Sequence, residues 1–303
     1  MRSRAAMVVA TLLLAIGHQG VAGAAKQARC AGKDATILGT PKKDTIEGTG
    51  DADVIVAFDG NDVIKGLGGN DVICGNDGAD VLIGSAGRDT LVGGLRSDEF
   101  DGGPGNDDIR GGESASPPSD PTAPRTGDRV TYARARRGIA VDLRAGAATG
   151  WGKDDLAGIE AIVGSTFDDM IVGNERSNSL YGLEGNDTIK GGRSFDFVVG
   201  GKGNDHMNGS KGADIVSYLR ASTSVTIDLV SETAQGQGKD RLKSFAIVIG
   251  SAGADLILGD EHNNEIHGNA GDDILRGRKG QDVLIGGKGS DACDAEEVRS
   301  CES

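Results

Sequence analysis

Large apolar side chains are scarce in this sequence of 303 residues. Aromatic residues make up 3% of it, with one tryptophan, three tyrosines and six phenylalanines, whereas glycine contributes 51 residues. A chain of this composition cannot build a thick apolar core. Acidic, glycine-rich and aromatic-poor sequences are often disordered, so disorder is the alternative that a regular pattern in the sequence has to exclude.

Several functional signatures are also missing. The sequence has no G-x-S-x-G nucleophile motif, no phosphate-binding loop and no dinucleotide fingerprint. The formal net charge of −14 argues against nucleic acid as a partner, because polyanions attract basic surfaces. The same charge favours cations as ligands.

Only one long apolar run is present, and it lies at the N-terminus. Basic residues Arg2 and Arg4 precede the run Ala5–Gly17, and Ala22-Gly23-Ala24 fits a small-residue cleavage site. This order predicts a secretory signal peptide over residues 1–24, because the apolar run is too short to span a bilayer. An uncleaved N-terminal anchor is the alternative. We therefore expect an extracellular protein without a membrane span, with a charge of −16 once both arginines are removed.

Four cysteines remain in the exported chain. Export to an oxidising compartment and an even count favour pairing. Their positions predict the disulfides Cys30–Cys74 and Cys293–Cys301, one near each end of the chain. Free buried thiols are the alternative.

The interior of the sequence is periodic. From Gly39 it reads GTPKKDTIE, GTGDADVIV, AFDGNDVIK, GLGGNDVIC, GNDGADVLI, GSAGRDTLV, GGLRSDEFD and GGPGNDDIR. The sixth residue is always Asp, the eighth is large and apolar, and the first is Gly except at Ala57. Similar blocks begin at Gly164 and Gly250, with Asn178 and Asn264 in place of the acid. Such phase is not expected of a disordered chain and indicates a repeat architecture.

The nonapeptide predicts an all-β solenoid. Positions seven to nine suit a short strand with one side chain inward, and the Gly-, Asn- and Asp-rich positions suit a turn. Two nonapeptides then form one coil, which places Asp44 beside Asp62 in the next coil, about 4.8 Å away. Two such carboxylates repel by roughly 3–4 kcal/mol at an effective dielectric near 20, so the column calls for cations. The alternative is that these acids only serve the turns.

Segments such as GLGGNDVIC, GGPGNDDIR and GLEGNDTIK resemble the haemolysin-type (RTX) calcium-binding nonapeptide, G-G-x-G-x-D-x-U-x. The resemblance implies a right-handed parallel β-roll in which Asp carboxylates and backbone carbonyls hold Ca²⁺ between turns. The large toxins and proteases of this family are exported without an N-terminal signal peptide, which argues against a toxin. The predicted calcium ligands are Asp44, Asp53, Asp62, Asp71, Asp80, Asp89, Asp98, Asp107, Asp169, Asp187, Asp196, Asp205, Asp214, Asp255, Asp273, Asp282 and Asp291.

Some repeats depart from the consensus. Arg96 and Arg176 replace the glycine at position four and are expected to place a cation beside the site, which would weaken calcium binding there. We expect Asp62 and Asp71 to contribute more to calcium binding than Asn178, which offers only a neutral oxygen. Other repeats also lack this glycine, for example at Lys42, Asp51, Phe167 and Ser194.

Two segments without the nonapeptide separate the blocks and align with each other at an offset of 86 residues, with Tyr132 matching Tyr218 and Asp154 matching Asp240. We interpret them as wider β inserts that continue the solenoid. The Ser- and Pro-rich stretch before the first insert predicts a loop or linker, and leaves open whether the first roll is a separate lobe. The predicted organisation is a signal peptide (1–24), a first roll (30–110), the loop (111–126), an insert (127–163), a second roll (164–217), an insert (218–249), a third roll (250–294) and a C-terminal cap (295–303).

The sequence therefore predicts a secreted calcium-binding repeat protein that folds on extracellular calcium and is structural or adhesive rather than catalytic. A polysaccharide-acting enzyme of the lyase or epimerase type, using one face of the solenoid, is the alternative. A local basic cluster indicates a further partner such as acidic polysaccharide, phosphate or cell-surface material, or else only a solvated face. This cluster consists of Arg125, Arg129, Arg134, Arg136, Arg137 and Arg144.

Overall fold

The computed structural model describes residues 28–113, 127–294 and 297–301. The predicted signal peptide and most of the predicted loop lie outside these residues. The described chain is all-β, with 32 strands numbered in chain order. It contains no helix long and apolar enough to cross a membrane.

Most strands belong to two long sheets. In spatial order the first sheet contains β3 (Ile37–Leu38), β5 (Val54–Asp59), β7 (Val72–Asp77), β9 (Thr90–Leu95), β11 (Asp108–Glu113), β15 (Lys153–Ala157), β14 (Ala147–Thr149), β13 (Ala140–Asp142), β17 (Met170–Val172), β19 (Thr188–Arg193), β21 (His206–Lys211), β25 (Lys239–Lys243), β24 (Thr233–Gln235), β23 (Thr226–Asp228), β27 (Leu256–Leu258), β29 (Ile274–Arg276) and β31 (Ala292–Asp294). The second contains β4 (Thr45–Glu47), β6 (Val63–Lys65), β8 (Val81–Ile83), β10 (Glu99–Asp101), β12 (Arg129–Thr131), β16 (Ala161–Val163), β18 (Ser179–Glu184), β20 (Phe197–Lys202), β22 (Ile215–Ser217), β26 (Ile247–Ile249), β28 (Glu265–Ala270), β30 (Val283–Lys288) and β32 (Glu297–Ser300). A hairpin of β1 (Arg29–Cys30) and β2 (Lys33–Asp34) precedes them.

The register confirms the predicted coil. Ile55 lies opposite Ile73 in the first sheet, and Ile64 lies opposite Leu82 in the second, so parallel neighbours are two nonapeptides apart. The chain alternates between the sheets within each roll, as a β-roll requires. The predicted parallel β-solenoid is confirmed.

The core consists mainly of the residues at position eight. Ile55, Ile64, Ile73, Leu82 and Leu91 are all 0% exposed and belong to one continuous cluster that runs along the solenoid. Their strand neighbours point outward, because side chains alternate along a strand. Each nonapeptide therefore gives the core one large side chain, so the solenoid interior is narrow.

The two inserts widen the solenoid without interrupting it. Each adds a three-stranded antiparallel meander to the first sheet, β13–β14–β15 and β23–β24–β25, whose outer strands pair in parallel with the flanking rolls. The second sheet continues directly from β10 to β12 and β16. The first roll is thus joined to the first insert through both sheets and does not form a separate lobe.

Both predicted disulfides are present, and the described chain has no free cysteine. The first joins the hairpin to β7, with a Cα–Cα distance of 5.7 Å. Cys30 and Cys74 form a small apolar cluster with Val56 and Val72, whose side chains point out of the first sheet. The hairpin therefore packs on the outer face of that sheet. The second disulfide joins Cys293 of β31 to Cys301 beyond β32.

Candidate calcium sites

A ladder of Asp carboxylates runs through the turns on both sides of the solenoid. In thirteen repeats the Oδ1 atom of the position-six Asp accepts a hydrogen bond from the backbone N–H of the corresponding residue one coil earlier. Asp53 donates in this way to Asp71 at 2.8 Å, and Asp71 to Asp89 at 2.9 Å. One carboxylate oxygen of each rung therefore has a structural partner whether or not a metal is bound.

Three acids outside the nonapeptides continue this ladder. Asp98, Asp107 and Asp205 donate their N–H groups to Asp128, Asp154 and Asp240 respectively. These three were not among the predicted site residues. The alignment of the inserts carried a signal for them, because it matches Asp154 to Asp240 and matches Asp128 to Asp214, a position-six Asp.

The second carboxylate oxygen divides the repeats into two groups. In thirteen repeats Oδ2 is buried and accepts no hydrogen bond from the described residues, and we call these open turns. They are the turns of Asp62, Asp71, Asp80, Asp89, Asp98, Asp107, Asp187, Asp196, Asp205, Asp214, Asp273, Asp282 and Asp291.

In the other six repeats the N–H of position two donates to a side-chain oxygen of the position-six residue, and we call these closed turns. The N–H and hydroxyl of Thr49 both donate to Asp53 Oδ2, at 2.7 and 2.9 Å. Ser251 N–H donates to Asp255 Oδ2 at 2.6 Å in the same way. The closed turns are those of Asp44, Asp53, Asp169, Asn178, Asp255 and Asn264, which are the first two repeats of each roll.

Backbone conformation separates the same two groups. Every open turn has a positive φ at position two, such as 78° at Leu67 and 79° at Asn76, and no closed turn does. In most open turns position two extends the strand and pairs with position two of a neighbouring coil, as Asn76 does with Gly94. In closed turns its N–H points at the carboxylate instead. Neutral Asn178 and Asn264 both occur in closed turns, where the side-chain oxygen accepts a hydrogen bond from the position-two N–H.

The sequence carried part of this distinction. Closed turns have Thr, Ser, Asn or Asp at position two, and five of them also lack glycine at position four; only the turn of Ser251 keeps it, as Gly253. Arg176 lies in a closed turn and pairs with Glu160. Arg96 lies in an open turn, but its guanidinium pairs with Asp77 at 3.1 Å. Arg96 was expected to place its charge beside Asp98, but its guanidinium pairs with Asp77 instead.

Tyrosines replace the closing N–H in the inserts. The hydroxyl of Tyr132 donates to Asp154 Oδ2 at 2.9 Å, and that of Tyr218 donates to Asp240 Oδ2 at 2.8 Å. Both tyrosines are buried, and burial followed by the nearby carboxylate raises their pKa well above the usual value. They therefore remain neutral donors at physiological pH.

The glycine at position one leaves space beside the Oδ2 atom of an open turn. A Cβ at Gly66 would collide with Asp71 Oδ2 and would lie 2.8 Å from the carbonyl oxygen of Gly84 in the next coil. The uncompensated carboxylate oxygen and a main-chain carbonyl of the adjacent coil thus border the same small space. Among the described residues no three His, Cys, Asp or Glu side chains converge on one point. The donors present are hard oxygens from one carboxylate and the backbone, which fit Ca²⁺, a cation that tolerates irregular geometry.

Burial makes these carboxylates costly to ionise. It raises the pKa of Asp98 and Asp187 to about 8 and that of Asp107 to about 7, against the usual 3.8. The backbone N–H bond lowers each pKa, and the neighbouring carboxylates raise it by less than burial does. Desolvation, more than the repulsion between stacked acids inferred from the sequence, therefore creates the demand for a cation.

The fold and this site together define a calcium-binding parallel β-roll. The profile of the RTX calcium-binding nonapeptide repeat matches residues 38–73, 83–115, 163–197, 181–216, 247–275 and 258–293, more than half of the chain. The chain belongs to this family, and its cofactor is calcium. A comparison with curated proteins finds no significant match.

Proposed function

We propose that this is a secreted protein whose rolls fold when they meet extracellular calcium, and that its role is structural or adhesive rather than catalytic. The predicted position-six Asp residues are the ligands in this proposal. The thirteen in open turns are the principal sites. In the four closed turns that have Asp, the Oδ2 atom already accepts a hydrogen bond from an N–H of the turn.

The observation that supports this proposal is that every turn with a positive φ at position two leaves the buried Oδ2 of its Asp without a donor among the described residues. A buried carboxylate oxygen without a donor is costly, and a proton or a cation has to compensate it. The narrow core adds little, because each nonapeptide buries only one large side chain. A cation that binds the coil but not the open chain therefore stabilises the fold directly.

The closed turns give the solenoid a framework that needs no metal. Each roll begins with one closed coil, and the first two rolls end at an insert whose Asp is satisfied by tyrosine. The third roll ends at the Cys293–Cys301 disulfide. Each run of open turns thus lies between regions that are internally compensated, and we expect calcium to be taken up cooperatively within a run, since repeats contact mainly their neighbours.

Secretion is supported by the N-terminal pattern of basic residues, apolar run and small-residue site. Repeats of this family typically occur in extracellular or secreted proteins. Extracellular modules bind calcium at about 10⁻⁴–10⁻³ M, which suits a chain that remains loosely folded before export.

Far-UV circular dichroism of the mature protein, titrated with calcium and then with chelator, tests the proposal. We expect a partial β signal in chelator, from the closed coils and inserts, and a cooperative gain at millimolar calcium. Magnesium should substitute poorly, because it demands tighter octahedral geometry. A β signal that is complete in chelator and unchanged by calcium would contradict calcium-dependent folding. Release of unsaturated products from polyuronates would contradict the non-catalytic role.

A further inference from the structure

Each duplicated unit has a pocket at the same place. In the first unit, the segment after β12 and the turn of Trp151 lie beside the last coils of the first roll and enclose about 630 Å³. In the second unit, Arg220 and Gln237 occupy the positions of Arg134 and Trp151, beside the corresponding coils of the second roll, and enclose about 320 Å³. The two pockets therefore share a backbone setting but differ in their side chains.

The first pocket carries an excess of positive charge in an acidic protein. It is lined by Arg134, Arg136 and Arg137, whose counterparts in the second unit are Arg220, Ser222 and Thr223. Arg137 donates to the carbonyl of Gly150. Arg134 pairs with Asp101, with 3.7 Å between Nη1 and Oδ2. Arg136 is exposed and forms no ion pair with the described residues, so its guanidinium is available to a ligand.

The second pocket has no comparable free charge. The guanidinium of Arg220 lies over the ring of Tyr181, 5.7 Å from its centroid, and Lys202 pairs with Glu184 at 2.8 Å. These contacts are made within the protein. The second pocket is therefore a natural control for the first.

The first pocket is lined by a largely buried carboxylate, that of Asp101. The side chain of Asp101 is 9% exposed, and its Oδ1 atom accepts no hydrogen bond within the described residues. Its counterpart in the second unit is Val199, which needs no donor. The half-buried ring of Trp151 packs against the core and lines the same pocket. The pocket thus combines the free cation of Arg136, the carboxylate of Asp101 and the apolar ring of Trp151.

We propose that this pocket binds a uronate unit of an acidic polysaccharide. The sugar carboxylate would pair with Arg136, a sugar hydroxyl would donate to the exposed edge of the Asp101 carboxylate, and the apolar face of the sugar ring would lie against Trp151. Arginine matches carboxylates through paired N–H donors, and pockets of this kind gain specificity from a few placed polar groups. A neutral sugar lacks the partner for Arg136, and a simple anion lacks the partners for Asp101 and Trp151.

The test uses the only tryptophan of the chain as the reporter. Fluorescence excited at a wavelength selective for tryptophan is followed while tetragalacturonate is added to the mature protein in saturating calcium. Maltotetraose and inorganic phosphate are titrated in parallel. Circular dichroism in the same buffer establishes that the protein is folded, so that a failure of calcium-dependent folding is distinguished from a failure to bind sugar. We expect saturable binding of tetragalacturonate only.

Variants that introduce the residues of the second pocket separate the contributions. Arg136→Ser and Asp101→Val should each weaken tetragalacturonate binding by roughly tenfold or more, as measured by calorimetry, with the calcium-dependent circular dichroism unchanged. Arg220→Ser, in the second pocket, should leave binding unchanged. The proposal is overturned if tetragalacturonate does not bind the folded protein, if maltotetraose or phosphate binds equally well, or if Arg136→Ser has no more effect than Arg220→Ser.

Discussion

The division into open and closed turns can be tested with one pair of substitutions in adjacent coils. Asp71 lies in an open turn and Asp53 in the closed turn stacked on it, and Asp53 N–H donates to Asp71 Oδ1. Asn in place of Asp71 retains an oxygen for this bond but removes the negative charge. Asn in place of Asp53 reproduces Asn178 and Asn264, which hold the same place in the other two rolls.

The expected magnitude follows from calcium linkage. A site with a dissociation constant of about 10⁻⁴–10⁻³ M stabilises the fold by about 1.4–2.7 kcal/mol at about 10 mM calcium. Asp71→Asn should lose about this amount, and one bound calcium. In chelator it should cost little, because the amide replaces a carboxyl whose pKa burial raises. Asp53→Asn should change the free energy of unfolding by less than about 1 kcal/mol under both conditions.

Urea unfolding in about 10 mM calcium and in chelator, with calcium counted by calorimetry, measures these differences. The informative quantity is the loss of stability in calcium minus the loss in chelator, since any general packing damage appears in both. Equal calcium-dependent losses in Asp53→Asn and Asp71→Asn would refute the assignment of closed turns as independent of metal. An unchanged calcium count in Asp71→Asn would refute the assignment of open turns as sites.

Three further predictions concern protons, tyrosines and disulfides. Burial raises the pKa of Asp80 to about 6 and that of Asp98 to about 8 in the calcium-free fold, so protonation of these acids stabilises that fold fully below about pH 4, and this contribution is lost as pH rises through about 6–8. The β signal in chelator should therefore be larger at pH 5 than at pH 8, and calcium affinity should fall over the same range as pH is lowered. A flat profile would contradict the burial of these acids. Tyr132→Phe leaves Asp154 Oδ2 without a donor and should lower the free energy of unfolding in calcium by about 1–3 kcal/mol. Tyr181→Phe, the control, should cost less, and equal thermal shifts in the two variants would contradict the role of the Tyr132 hydroxyl. Replacing Cys30 and Cys74 by Ala should lower the free energy of unfolding in urea by about 2–4 kcal/mol, because the disulfide closes a separation of 44 residues. An unchanged unfolding midpoint would show that the disulfide that holds the hairpin adds no stability.

The coil was predictable because the nonapeptide repeats a local rule. Position six is Asp and position eight is apolar in every repeat of the first block, so the register of Ile55 with Ile73 follows from the spacing alone. The alignment of the inserts likewise predicted that they extend the same solenoid. The path of each insert was not predictable, because the antiparallel pairing of β13, β14 and β15 depends on contacts with strands of neighbouring coils.

The sequence by itself determined which nonapeptide residues face inward, which nonapeptide acids stack and that calcium is the cation, because each of these depends on identity and phase. Tertiary structure decided which stacked acids keep a carboxylate oxygen without a donor among the described residues. That depends on whether a position-two N–H turns toward the carboxylate, as at Asp53, or pairs with the next coil, as at Asn76. Tertiary structure also brought Arg136, Asp101 and Trp151, which are separated by up to 50 positions, to one pocket. A backbone torsion and a long-range contact both arise from how coils pack on each other, which a nine-residue pattern does not contain.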